Sequence, residues 1–554
     1  MVATNEDRVI GLATASKRGV GGAQWHYLPG SSIEGSRIRV RDENLTIPSQ
    51  DGKKSQANSP VNLYGTHYIV NNSFSASATL ADIQADAYVT LYGRVPITQD
   101  EFRVEPPRLV LHFTPNAIQV LVYKDANIQD IGDKTAVFNQ TYRRDVSKGT
   151  QFKLKRVRGT LSLSVGGKAI ASIPEHNIFR DGQVWIGAAS NGGEFVLSDI
   201  SITADNGGAV QTQDASMLSM TTMDSNGLQT QASKKRPGFL VGAAMSLAPL
   251  VSDLSYAQVA LGGNFGSMTT ENALKWQSVE PRQGVYDFHE GDALVDVAAR
   301  HGLVIHGHTL VFGEANPGWV RNLTVTSAAD KQKVQQVMTH HIANVVGHYK
   351  SKIKTWDVVN EPIADYDDFN ASKGKILRDH KWYQAMGESY IATAFKAAHA
   401  ADPDAKLFIN DYGLEENGDR WNIFLKLMMK LKAQGVPIDG VGFESHVYEK
   451  TDKINPAVLK SHMKQLAKIG IVSRISEMDV YSDDGTRVQT DQYSSIFNVC
   501  LNEPSCVSFT TWGVSDRYDM FMDGNRPEYG DDFLWNYDMK PIQAVSAIQQ
   551  LLRR

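Results

Sequence analysis

From residue 237 onward, short apolar runs alternate eight times with longer stretches of helical period, and that rhythm leaves few folds open. Strands are expected at 239–244, 264–268, 304–310, 354–359, 406–410, 440–443, 474–478 and 507–511. The 3.6-residue period between them points to helices at 330–349, 382–401, 421–433, 457–468 and 491–501, with a last one near 541–552. Eight such units fit a (β/α)8 barrel, whose usual size is about 250 residues plus insertions. A doubly wound open sheet shares the rhythm, but no glycine fingerprint for a nucleotide follows the first strand.

In such a barrel the chemistry lies at the C-terminal ends of the strands. There the sequence collects carboxylates, amides, imidazoles and indoles. The second strand runs into Glu271, Asn272, Lys275 and Trp276; the third carries His306 and His308; the fourth ends in Asn360 and Glu361. The fifth ends in Asn410, Asp411 and Tyr412, the sixth in Glu444 and His446, the seventh in Glu477 and Asp479, and the eighth in Trp512 and Asp516. A lone Asn-Glu-Pro is often only a helix start, but the whole set suits a sugar site. Indole faces stack on the apolar faces of a pyranose, while carboxylates and amides bind its hydroxyls. A metal centre is the chemical alternative. His306 and His308 fall two apart on a strand and so point the same way, and His446 could join them. Neither a His-x-x-x-His helix nor a cysteine cluster accompanies them, so no chelating set emerges and neither metal nor cofactor is expected.

At these residues the chain resembles glycoside hydrolase family 10, best known for endo-β-1,4-xylanases, over about 240–554. The likeness is carried by T-x-E-N-x-x-K-W at 269–276, G-H-T-L-V at 307–311, W-D-V-V-N-E-P at 356–362 and I-N-D-Y at 409–412. It continues through G-V-P-I-D-G-V-G-F-x-S-H at 435–446, S-E-M-D-V at 476–480 and T-W-G-V-S-D at 511–516. The resemblance implies that Glu361 is the general acid/base and Glu477 the nucleophile. It implies sugar-binding roles for Glu271, Asn272, Lys275, His308 and Asn360, and Trp512 as the floor under the reacting sugar. His446 and Asp479 would orient the nucleophile. Retaining hydrolysis needs two carboxyls about 5–5.5 Å apart. Glu477 must stay ionised, which His446 as a donor would favour. Glu361 must stay protonated, through burial and the charge of Glu477.

The chain departs from the family in a cluster. Phe312 stands in place of Trp, Gly313 of His, Ala315 of Gln, Glu444 of Gln and Met520 of Trp. The expectation is a xylanase-like β-glycan hydrolase with a widened pocket, tuned by Glu444. Two rivals are a β-glycosidase for a branched or hexose-containing glycan and a non-catalytic carbohydrate-binding protein on a barrel scaffold. The latter would not need both Glu361 and Glu477.

Residues ~1–203 read as a separate all-β domain, a sandwich or jelly roll, with apolar runs such as 87–92, 109–113, 118–122, 160–165 and 195–202. The stretch 184–202 resembles the closing strands of concanavalin-like jelly rolls, so this domain is expected either to bind polysaccharide or to be structural. Residues ~204–236 are rich in small polar residues and read as a linker, in which Met217, Leu218 and Met220 could pack on a neighbour. Charge is unremarkable, at −5 over 554 residues. No basic field suggests nucleic acid, and no apolar run reaches the ~20 residues of a membrane helix. Cys500 and Cys506 are the only cysteines. They could be two buried thiols, but so close and exclusive a pair favours a disulfide, and many exported family members carry one here. An extracellular or periplasmic location is therefore expected, although the polar start M-V-A-T-N-E-D-R shows no secretory signal.

Overall fold

The computed structural model describes most of residues 73–204, short strands on either side of that span, and 221–554 apart from 367, 371–372, 375, 449–452, 483–486 and 519–531. Met217, Leu218, Met220 and Met520 lie outside the described residues. The chain divides into two units, one made chiefly of 1–220 and the other chiefly of 221–554.

The first unit is an antiparallel β-sandwich. One sheet places Gln183–Asn191, Asp86–Tyr92, Arg108–Thr114, Ala117–Tyr123 and Phe138–Arg143 side by side. The other runs Lys168–Pro174, Thr160–Val165, Thr150–Val157, Ser73–Ile83, Glu194–Ala204 and Arg37–Arg41. Alternation along each strand sends one face into the core. Leu109, Leu111 and Phe113 meet Val89, Leu91, Ile118 and Val120 there, packed against Phe74, Phe152 and Leu154. The opposite face carries Tyr88 stacked on His112 at 4.1 Å, and further along it Val110, Leu121 and Tyr123 form a small buried cluster.

The second unit is a closed parallel barrel. Its strands are β1 (Leu240–Met245), β2 (Ser267–Thr270), β3 (Val304–Val311), β4 (Thr355–Asn360), β5 (Lys406–Asp411), β6 (Gly440–Phe443), β7 (Val472–Tyr481) and β8 (Cys506–Thr511). Each pairs with its neighbours in order; β8 pairs with β1, and β6 with β7. The expected strands match these to within a few residues. The second begins at Ser267 and not at 264, because Asn264 turns back to donate to the Val259 carbonyl. The single helix expected at 382–401 is two, Lys381–Met386 and Ser389–Ala401, parted at Gly387 with φ +58°. That left-handed conformation cannot continue a helix.

The linker expectation needs correction over 221–236. Leu228–Lys235 is a helix belonging to the barrel unit. Its Gln229 amide accepts from Val241 N at 2.7 Å and donates to the Phe239 carbonyl at 3.1 Å, clamping the start of β1. Arg236 then donates to the carbonyls of Cys500, Leu501, Glu503 and Pro504. The first two belong to the last turn of the helix Arg487–Asn502 and the other two lie just past it, where a cation satisfies orphan acceptors and the helix dipole together. Composition hid this, because the docking is polar and uses few apolar side chains. Just beyond, Cys500 and Cys506 are joined in a disulfide with Cα atoms 5.1 Å apart, tying the helix end to β8.

Candidate active site

The ends of β4, β5, β6 and β7 converge on one buried polar cluster. At its centre the Asn410 amide nitrogen donates to Asn360 Oδ1 at 2.8 Å, Glu444 Oε1 at 3.0 Å and Glu477 Oε1 at 2.7 Å. Ser476 holds the other end of that amide by donating to Asn410 Oδ1 at 2.6 Å. The neighbouring strand makes room: a Cβ on Gly442 would fall 2.0 Å from Asn410 Oδ1, so only glycine lets the amide lie there. Asn410 stood among the polar strand ends in the sequence, but nothing in its spacing marked it as the hub.

Glu361 joins this cluster through Asn360, whose amide donates to Glu361 Oε1 at 3.2 Å. Its backbone is held at φ +47°, a strained setting for a non-glycine residue, while its N–H donates to the Asn410 carbonyl at 2.8 Å. Arg378 donates to Glu361 Oε2 and bridges on to Glu314 at 2.8 Å and Asp365 at 2.7 Å. Burial pushes the Glu361 carboxyl up to about 8; Arg378 opposes this, and Glu314, Asp411 and Glu477 add to it. Arg378 was not foreseen, since it lies on the loop beyond β4 and outside every strand end.

Glu477 Oε2 lies 3.4 Å from His446 Nε2, and His446 Nδ1 lies 2.7 Å from Asp479 Oδ2. Burial would lower this imidazole, but Asp479 and Glu477 outweigh it and hold it well above the usual range. Glu444 Oε2 is 3.7 Å from the same His446 Nε2. Burial, then the charges of Glu477 and Glu361, carries the Glu444 carboxyl well above the ordinary carboxylate range. Among the described residues Glu444, His446 and Glu477 converge, with one ligand atom from each inside 4.8 Å. His306 and His308 take no part; both reach Asp357 Oδ2, at 2.9 and 3.0 Å.

Glu271 and Lys275 are buried beyond β2, with Ser246 donating to Glu271 Oε2. Asn272 is enclosed, and neither polar atom of its amide is hydrogen-bonded. His308 meets the Trp512 indole edge-on at 5.1 Å, and Trp512 packs with Ala244 and Phe533. Trp276 is stacked between His341 and Trp382, at 3.6 and 4.7 Å, so its faces are used in packing. The departures at 312 and 313 do not simply leave space. Phe312 is buried with Arg378 5.9 Å from its ring centre. A Cβ on Gly313 would meet Arg378 Cδ at 2.7 Å and His380 Cδ2 at 2.9 Å. The room given up at 313 is filled by side chains from the loop beyond β4. Ala315 is at φ +52° and accepts from Gln277 N.

Chemically, the cluster offers three carboxyl groups linked through two amides, with Glu477 beside the imidazole of His446 and Glu361 beside the guanidinium of Arg378. A β-1,4-xylanase of Dictyoglomus thermophilum is 36% identical over 295 residues, half of this chain and 78% of that protein. Endo-1,4-β-xylanase B of Thermotoga neapolitana is 31% identical over 294 residues, 52% of this chain and 81% of that protein. Among solved structures, native xylanase 10B from Thermotoga maritima aligns with a TM-score of 0.53 at 32% identity, over 59% of this chain and 98% of that one. The family model for glycosyl hydrolase family 10 matches residues 228–551, more than half of the chain and the whole span of the barrel strands, and the protein belongs to that family.

Proposed function

We propose that this family 10 hydrolase cleaves β-1,4-linked xylan-type polysaccharide with retention, Glu477 attacking the anomeric carbon and Glu361 serving as acid and then base. The observation that carries this is the amide chain joining the two carboxylates: Asn410 donates to both Glu477 and Asn360, and Asn360 donates to Glu361. It ties a carboxyl just past β4 to one on β7 while giving them different partners. His446 beside Glu477 favours a charged nucleophile. Burial of Glu361 favours a carboxylic acid able to protonate the leaving oxygen. Once the glycosyl ester forms, Glu477 has lost its charge, so the Glu361 carboxyl ionises more readily and is available as the base. The relatives' xylanase activity supports the substrate class, and so does the xylobiose bound in the 31% identical xylanase 10B of Thermotoga petrophila. The disulfide supports an exported protein.

The test is proton NMR of the first product from linear β-1,4-xylo-oligosaccharide. The β-anomer should appear first and mutarotate later; an α-anomer formed first would overturn retention. The finer expectation, a pocket opened for a branch or a hexose, keeps less support, since Arg378 and His380 fill the room at Gly313. Comparing kcat/KM on linear xylan with branched and hexose-containing β-glycans decides it. An extra group in an apolar pocket is worth about 1–3 kcal/mol, so a tenfold preference for the larger glycan would restore that reading.

Arg378 gives a pH prediction. Glu361 must be protonated to act as acid, so activity on poor leaving groups should fall as pH rises through about 8. Arg378 stabilises the ionised form. Arg378→Met keeps the stem and removes the charge, so the basic limb should move upward by roughly one pH unit. A limb that stays in place or moves down in the kcat/KM profile would show that Arg378 does not act on Glu361.

A further inference from the structure

We propose that Glu444, His446 and Glu477 form a binding site for Zn2+ or a divalent ion of similar size, and that the ion inhibits the enzyme by occupying the nucleophile. Zinc with nitrogen and oxygen donors at about 2.0–2.2 Å needs donors roughly 3.3–3.6 Å apart at the corners of a tetrahedron. His446 Nε2 lies 3.4 Å from Glu477 Oε2 and 3.7 Å from Glu444 Oε2, and all three ligand atoms lie within 4.8 Å of one another. The surroundings are those of a built site. Asn410 holds the far oxygen of each carboxylate, Glu444 Oε1 and Glu477 Oε1, leaving both Oε2 atoms beside the imidazole. Asp479 takes the other nitrogen of His446 at 2.7 Å, the carboxylate–histidine arrangement that orients a metal-bound imidazole. The two glutamates are nearly enclosed, while the His446 side chain keeps 25% of its surface, so an ion would reach the set from the imidazole side.

The third donor belongs to one of the departures from the family pattern, since a glutamine at 444 would offer only a neutral amide oxygen. Binding replaces protons: the ion takes the Nε2 lone pair and the Glu444 carboxylate, and their protons go to solvent. Its effect on turnover rests on the proposed role of Glu477; its binding does not. The experiment is calorimetric titration of EDTA-stripped, untagged full-length protein with zinc chloride, beside steady-state turnover in the same buffer. One ion should bind with inhibition that more substrate relieves and EDTA reverses. Glu444→Gln should weaken binding at least tenfold, and Asp479→Asn, which touches no ligand position, by about 10–100-fold. Unchanged melting temperatures would show that the variants fold. No binding by the wild type up to millimolar zinc, or equal affinity in Glu444→Gln, overturns the site. Binding that both variants weaken but that leaves turnover intact supports the site and removes Glu477 from the nucleophile role.

Discussion

Glu477→Ala should bring hydrolysis of activated and natural β-glycosides alike down to background, a loss on the order of 10⁶-fold in kcat, the scale seen when a covalent nucleophile is removed. The cluster contains one group that could substitute for it. Glu444 shares the Asn410 donor and lies 3.7 Å from the same imidazole nitrogen. Burial holds Glu444 protonated well above the ordinary range, however, and a carboxylic acid is a poor nucleophile. It is also anchored on a different strand end, one residue past β6, and an attack line set for Glu477 would miss it. Removing the Glu477 charge also removes one reason for Glu444 to stay neutral. Some rescue through Glu444 would therefore show as activity that rises with pH in Glu477→Ala and vanishes in Glu477→Ala/Glu444→Gln. The measurement is initial rate on an aryl β-xylobioside, with melting curves to show that the variant folds. Activity within tenfold of the wild type would remove Glu477 from the nucleophile role.

The barrel was legible in the sequence because its evidence is periodic. Eight apolar runs of strand length, each followed by a helical pattern, leave little else to build, and the chemistry had to gather where those strands end. Convergence of His446, Glu477 and Asp479 was readable for the same reason: β6 and β7 are neighbours, and their ends share one rim. What could not be read is what depends on loops and on the shape of a filled space. Arg378 lies seventeen positions beyond Glu361 on an irregular segment, with no period to place it. That Gly313 is occupied by Arg378 and His380 follows only from coordinates; in sequence, a glycine in place of a histidine reads as lost volume. The metal-ligand geometry was hidden in a similar way. The histidines spaced two apart on β3, His306 and His308, turn to Asp357, while the set that converges draws one residue from β7 and two from just past the end of β6. The linker reading failed over 221–236 for a different reason. Its helix is anchored by Gln229 and Arg236 through carbonyls and amides, and apolar content is blind to that kind of docking.

Glu361→Ala separates the two carboxylates by their chemistry. Protonation of the leaving oxygen matters in proportion to how poor a leaving group that oxygen is. General acid assistance is commonly worth about 10²–10⁴-fold. The variant should lose that factor on a xylo-oligosaccharide and far less on a dinitrophenyl glycoside, whose leaving group departs without a proton. On the activated substrate the glycosyl–Glu477 ester still forms, but its hydrolysis now lacks a base, so an early burst should precede a slow steady state. Azide should relieve that second step, because it attacks without needing a base. The structure gives azide a reason to bind there: with the carboxylate gone, Arg378 keeps Glu314 and Asp365 but faces the vacated space with the donor that Glu361 had accepted. The product should be the β-glycosyl azide, since attack on the ester inverts the centre that Glu477 inverted first. Glu361→Gln should behave similarly on good leaving groups but be rescued less, because its amide fills the space that azide needs. Equal losses on good and poor leaving groups, or an α-configured azide product, would remove Glu361 from the acid/base role and leave the strained φ of +47° at that residue without a catalytic explanation.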